Sequence, residues 1–266
     1  MGLNIVHVDT FTDKPFSGNP AAVCLLSGEK DERWLQQMAQ EMNLSETAFL
    51  LWKRDGFSLR WFTPTVEIAL CGHATLASAH VLWENDYLGP DEQARFHTLS
   101  GLLTANRYGN WIEMDFPAQA SMPTSTPVGL LEALGISAGA VSRNEYDYLV
   151  EVASEEIVQN ITPNFPALAN VEARGVIVTS RANSTDYDFV SRFFGPRVGI
   201  NEDPVTGSAH CCLAPYWQER LGKDVMVGYQ ASARGGVVRV RVLGERVMLG
   251  GQAVTVMRGE LAREVG

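Results

Sequence analysis

Asn201-Glu202-Asp203-Pro204-Val205-Thr206-Gly207-Ser208-Ala209-His210 is the stretch on which the reading of this chain turns. Pro204 holds Asp203 in a turn or extended conformation. From Gly207 the pattern changes, and Ala209, Leu213, Ala214, Tyr216 and Trp217 predict a mostly apolar helix running to about Gly222. Its first turn carries Thr206, Gly207 and Ser208, whose backbone N–H groups have no preceding turn to bond. A glycine there lets a ligand approach the backbone, and the helix dipole favours a carboxylate or phosphate. The plainer reading is a helix capped by Thr206.

A second stretch repeats this grammar. In Glu67-Ile68-Ala69-Leu70-Cys71-Gly72-His73-Ala74 an acidic residue again lies four positions before Cys or Thr, followed by Gly, a polar side chain and Ala. Leu76, Ala77, Ala79, Val81, Leu82 and Trp83 continue it as an apolar helix. The expectation is two halves, each built on a glycine-opened central helix, with a small anion held where the helix starts at Gly72 and Gly207 meet.

The rest of the chain fills in around these helices. Leu3 to Phe11 alternates apolar and polar residues as a half-buried strand does, and Ala21 to Leu26 returns as another. Asp31 to Met42 places Trp34, Leu35, Met38 and Met42 on one helical face. Ser45 and Glu46 then feed the apolar strand ending near Trp52, with Phe57 to Phe62 as its hairpin partner. A carboxylate entering such a strand is either solvated at its mouth or held in a cleft, and burial statistics favour the solvated reading. Ala94–Ser100, Leu102–Arg107 and Trp111–Phe116 read as strands. The run from Pro117 to Pro127, rich in Pro, Ser and Thr, is the clear linker. It divides the chain into lobes at 1–118 and 128–266. In the second lobe a short helix (Val128–Leu134) precedes strands at Tyr146–Val152, Gly175–Ser180, Tyr187–Phe194 and Val225–Tyr229, then a hairpin. The fold class is α+β in two lobes.

Asp203 to Ala209, Cys71-Gly72-His73-Ala74-Thr75, and Phe11-Thr12 followed by Gly18-Asn19-Pro20-Ala21-Ala22-Val23 resemble the phenazine-biosynthesis isomerase (PhzF-like) family, a branch of the diaminopimelate epimerase fold. The matching segments run from Val8 to about Gly236. The resemblance implies pseudo-symmetric lobes, each a mixed sheet wrapped around a central helix, and a homodimer. It implies a cofactor-free isomerase that moves a proton on a small carboxylate, cyclic or amino-acid-like. The family's acid/base glutamate falls on Glu46, which reverses the solvated reading. Its substrate-binding residues fall on Ser45, His73, Asp203 and Ser208, with the backbones of Gly72 and Gly207 at the carboxylate. A carboxylate in an apolar cleft can both take and return a proton near neutral pH. Asp203 then orients an amino or hydroxyl group, or serves only as a turn and cap residue.

The epimerase relatives use two opposed thiols. This chain has Cys71 at the first position and Thr206 at the second, and a hydroxyl cannot act as a carbon acid/base at neutral pH as a thiol does. Cys71 is therefore expected as a small buried residue left by ancestry. A racemase acting through Cys71 and another base is the first alternative. A non-catalytic binder of a small carboxylate is the second.

Composition sets outer bounds. Over 266 residues the chain is 45% hydrophobic and 20% charged, with a formal charge of −10. That argues for a globular protein and against nucleic-acid or anionic-membrane partners, leaving a small anionic metabolite. Four cysteines without C-x-x-C spacing, and an N-terminus that reads as a strand, suggest reduced thiols and a cytoplasmic location. His73 and His80 lie too far apart along one helix to share a metal, and no Cys/His/carboxylate cluster with metal spacing is evident. No phosphate loop or dinucleotide fingerprint occurs, so a nucleotide cofactor is not expected; the resemblance implies no cofactor at all, and without a ligand cluster no metal is expected.

Overall fold

The computed structural model describes residues 3–262, which divide into two compact units. The first runs through Asp115 and is completed by the chain from Gly250 onward; the second is Phe116–Leu249. The expected division near the Pro-rich linker lies close to this boundary, but the C-terminal segment assigned to the second lobe belongs to the first.

Strands β1 (Asn4–Thr10) and β2 (Asn19–Leu26) open the first unit, followed by helix α1 (Glu32–Met42), β3 (Glu46–Lys53), β4 (Gly56–Phe62) and the short β5 (Glu67–Ile68). Helix α2 (Gly72–Glu84) comes next, then β6 (Ala94–Thr98), β7 (Gly101–Tyr108) and β8 (Trp111–Pro117). In the second unit β9 (Met122–Pro123), α3 (Leu130–Leu134), β10 (Ala140–Arg143) and β11 (Asp147–Glu151) precede α4 (Glu155–Asn160) and α5 (Phe165–Leu168). They are followed by β12 (Gly175–Arg181), β13 (Phe189–Gly195), β14 (Ile200–Asp203), α6 (Gly207–Leu221), β15 (Val225–Gln230), β16 (Gly236–Leu243) and β17 (Arg246–Gly251). The last strand, β18 (Ala253–Glu260), pairs antiparallel with β1.

The two units share one topology. In the first, β1–β2 is antiparallel, β2–β3 parallel, β3–β4 antiparallel, β4–β6 parallel and β6–β7 antiparallel. In the second, β10–β11, β11–β12, β12–β13, β13–β15 and β15–β16 run through the same alternation. Parallel neighbours need a crossover between them. The first crossover is α1 in one unit and α4 with α5 in the other. The second is a short strand followed by the central helix, β5 and α2 or β14 and α6. The fold is α+β, and the weak sequence echo between the two glycine-opened stretches marks a structural repeat.

Each helix sits where its residues dictate. Leu35, Met38 and Ala39 of α1 pack with Cys24, Phe49 and Phe62 on one sheet face. Strand residues alternate faces, so Glu46, three before Phe49, points to the opposite face, where α2 lies against β1, β2 and β3. α2 is buried nearly all round, His73–Ala79 and Val81–Trp83 included, and its run of Ala, Ser and Thr lets strands approach closely. α6 carries Pro215 in its interior, which removes the bond to the Cys211 carbonyl; the Gln119 N–H, just past β8, takes that carbonyl at 3.0 Å. In the second unit Leu130, Leu134, Val150, Val158, Val176, Val178, Val190 and Phe194 form a continuous apolar core. The Gly18 turn that delivers β2 has φ +66°, and a Cβ there would lie 2.0 Å from the Thr10 carbonyl oxygen. Among the described residues no helix is long and apolar enough to cross a membrane.

Candidate functional site

The helices differ in how they begin. Asp31, Ser154 and Asn164 cap α1, α4 and α5 in the ordinary way, their side chains accepting an N–H from the first turn. Cys71 and Thr206, which stand at the same place before α2 and α6, make no such bond. The reading of α6 as a Thr-capped helix is therefore set aside. Both glycine-opened helices leave their first-turn amides without a side-chain cap of their own.

At the α2 opening three functional side chains come together. α1 ends at Asn43 in a left-handed conformation, its N–H returned to the Ala39 carbonyl. The chain then turns through half-buried Ser45 into β3, whose first residue is Glu46. Glu46 is only 7% exposed, so the cleft reading holds over the solvated one. Its Oε2 lies 3.0 Å from Nε2 of His73, the second residue of α2. Neither atom has a hydrogen-bond partner. Nδ1 of His73 lies 3.5 Å from Cys71 Sγ. Burial works against an imidazolium here, but the adjacent Cys71 and Glu46 overcome it and hold His73 well above its ordinary value. Burial also pushes the Cys71 thiol up, with His73 opposing.

One expectation is corrected by this cluster. One ligand atom each from Glu46, Cys71 and His73 lies within 4.8 Å of the others, a Cys/His/carboxylate set of the kind zinc uses. The ring, however, turns Nδ1 to the thiol and Nε2 to the carboxylate, so its close contacts fall on two different nitrogens. That geometry suits a proton chain better than a cage around one ion. Cys71 is small and buried, as expected, and its sulfur lies 3.5 Å from the ring that faces Glu46.

At the α6 opening the chemistry is different. Asp203 Oδ2 accepts the Thr206 hydroxyl at 2.6 Å, a bond between side chains that caps no first-turn amide. Gln230, fully buried at the end of β15, takes the Thr206 N–H with Oε1 at 2.8 Å and gives Nε2 to the Asp203 carbonyl at 2.7 Å. Ser208, the second residue of α6, accepts from Arg174 Nη2 at 3.1 Å. Arg174 is held in turn by a two-pronged contact with the buried Asp147, its Nε donating to Oδ1 at 3.0 Å and its Nη2 to Oδ2. His210 sits one turn into α6, its Nδ1 on the Thr206 carbonyl at 2.8 Å, and burial lowers it to about 4.

The structure thus groups Glu46, Gly72 and His73, with Ser45 just before them, in the first unit. It groups Asp203, Gly207 and Ser208 in the second. Arg174, Gln230 and Asp147 escaped the sequence reading. Arg174 lies immediately before β12, where Glu46 opens β3, so only the topological repeat could have found it. His80 of α2 reaches Thr255 Oγ1 on β18 at 3.1 Å. A surface hollow of about 320 Å³ lined by Asp13, His80, Trp83, Arg107 and Val254 contains none of the cluster residues.

With this geometry in view, comparison with known proteins is informative. The family model for phenazine biosynthesis-like proteins (PhzC-PhzF) matches residues 8–259. A protein from Halalkalibacterium halodurans, named an uncharacterized isomerase, is 55% identical, with 97% of each chain covered. The crystal structure of a PhzF-family phenazine biosynthesis protein from Enterococcus faecalis has a TM-score of 0.94 at 41% identity, covering 99% of this chain and 100% of that one. The fold alone extends to a probable proline racemase from Agrobacterium radiobacter, with a TM-score of 0.63 at 12% identity over 98% of this chain and 93% of that one. On the family model, the relative and the solved structure alike, the chain belongs to the PhzC-PhzF family of phenazine biosynthesis-like proteins.

Proposed function

We propose that this chain is a cofactor-independent isomerase that moves a proton on a small carboxylate, with Glu46 as the proton carrier. One observation carries the reading. Glu46 Oε2 and His73 Nε2 are buried, 3.0 Å apart and without hydrogen-bond partners, at a helix opening whose cap side chain leaves the amides alone. Buried polar atoms without partners are costly, and they persist where a substrate satisfies them. The amides of Gly72 and His73 suit a carboxylate, which places an adjacent C–H near Glu46. Glu46 takes that proton and returns it to another atom on the same face. His73 keeps positive charge beside the carboxylate and bonds to substrate oxygen. The names of the relatives support the isomerase class. In this reading Gly207 and Ser208 contribute anion recognition, and the protein works as a homodimer.

Incubating the protein in deuterated water with a panel of small cyclic and amino-acid-like carboxylates tests it. Solvent deuterium enters the product in the wild type and not in Glu46→Gln. Exchange that survives in Glu46→Gln and disappears in Cys71→Ala supports the racemase reading, which the thiol's contact with His73 favours. Binding without exchange for every member supports the binding-protein reading. Gly207→Val tests the part given to α6, since it blocks binding while leaving the fold intact.

A further inference from the structure

Arg174 stands just before β12 and is fixed on several sides. Its Nε and Nη2 both donate to Asp147, whose side chain is fully buried. Its guanidinium carbon lies 5.3 Å from the centre of the Tyr146 ring and 5.8 Å from that of Phe193. Phe193 can sit there because residue 175 is glycine, where a Cβ would lie 2.2 Å from the Phe193 Cζ. A planar fork held along one edge and stacked on rings keeps its remaining hydrogens in set directions. From Nη2 one of them goes to Ser208 Oγ at 3.1 Å.

A serine hydroxyl has one hydrogen and two lone pairs, and a guanidinium has no lone pair to offer it. In this contact Ser208 accepts, and its own hydrogen is turned away from Arg174. The geometry points to Arg174 as a positioning residue for Ser208: it keeps the hydroxyl hydrogen on the ligand's side, so that Ser208 meets a carboxylate oxygen as a donor. Without Arg174 the hydroxyl is free to turn its hydrogen towards the Asp147 carboxylate left behind, and it then offers a ligand lone pairs, which repel a carboxylate. The inference rests on the reading of Ser208 as a residue of anion recognition.

Acetate, a probe that only accepts hydrogen bonds, tests this before any substrate is known. The ¹H–¹⁵N shifts of the Gly207 and Ser208 amides, followed as acetate is added to the whole protein, give its affinity at the α6 opening. Arg174→Met and Ser208→Ala are each expected to weaken that affinity about tenfold, the size of one hydrogen bond to a charged group. Arg174→Met/Ser208→Ala should weaken it no further than Ser208→Ala alone, since the first residue acts through the second. Arg174→Met/Asp147→Asn should regain stability to urea without regaining acetate affinity, which separates positioning from mere support of the fold. No acetate response at these amides in the wild type overturns the inference. So do losses that multiply in Arg174→Met/Ser208→Ala, or an affinity that returns with Asp147→Asn. If acetate behaves as stated and no carboxylate exchanges deuterium, the functional reading fails alone. If deuterium exchanges and Arg174→Met leaves acetate affinity untouched, the inference fails alone.

Discussion

Glu46 and Arg174 stand at matching places in the two units and carry opposite charges. Each lies where the strand after the first crossover begins, and each reaches the second residue of its central helix. Glu46 meets His73 at 3.0 Å, and Arg174 meets Ser208 at 3.1 Å. One backbone plan has thus been furnished twice, once with two titratable groups whose facing atoms lack hydrogen-bond partners and once with groups tied to their neighbours. Arg174 is held by Asp147, Asp203 by Thr206, and Thr206 by Gln230. The first arrangement leaves two buried titratable groups facing each other; the second is fixed in shape by its own hydrogen bonds. The repeat fixes where functional groups stand, and local partners decide what they do.

The largest test of this contrast is Glu46→Gln. Turnover should fall about 10²–10⁴-fold, the range for a lost general acid/base, while ligand-induced stabilisation persists. Steady-state rates on a substrate found by deuterium exchange, set beside thermal shifts, check it. Unchanged turnover would remove the carboxylate from the chemistry and with it the division of roles.

Next come the two buried histidines, which titrate in opposite senses. His210 is lowered from 6.5 to about 4 because burial penalises its charge. Its unfolded form binds a proton first, so its stability contribution is present above pH 6.5 and lost as pH falls through about 4. The full loss is about 3 kcal/mol, which His210→Gln should remove from the acid limb of a denaturant-midpoint profile. His73 is raised, with Cys71 and Glu46 overcoming burial. Its contribution is present below 6.5 and lost as pH rises through the raised value, so His73→Gln flattens the alkaline side instead.

Arg174→Met should cost on the order of 2 kcal/mol in urea denaturation, since it leaves the Asp147 carboxylate, 0% exposed, without its cation. The figure sits below that of a wholly buried pair because the Arg174 side chain is 37% exposed. Adding Asp147→Asn should recover part of the loss. The smallest effect belongs to Cys71→Ala, a drop in turnover of less than about tenfold. A drop near 10³ would make the thiol itself a base and the two openings more alike in kind.

Much of this was legible in sequence because it depends on local rules. Glycine after Cys71 and after Thr206 announced two helix starts, and apolar periodicity gave α1, α2 and α6 within a residue or two. Strand alternation gave most of the sheet. Glu46 is a different case: its residues alone favoured a solvated mouth, and only the family resemblance placed it in a cleft. β18 was missed because a half-buried strand says nothing about a partner some 250 positions away. Arg174 was missed because a cation in an irregular stretch looks like solvated charge. The Cys71–His73 contact depends on the extended backbone at the cap, which no spacing reveals.

The pairing of β18 with β1 also sets an order of events during synthesis. Asn4 finds its partner at Glu260 and Thr10 at Ala253, so the first unit stays short of one strand until nearly the whole chain exists. The second unit is a continuous segment and can close as soon as Leu249 is made. Chains usually fold from the N-terminus forward, but here the inner segment is complete before the outer one. Closing the long loop costs little more entropy once the middle has collapsed, because the cost grows only with the logarithm of length. Until then β1 offers an unpaired edge, the feature through which sheets join wrong partners. A nascent chain stalled before Gly250 would carry the first unit unfinished and the second complete, and it is at that edge that aggregation would begin.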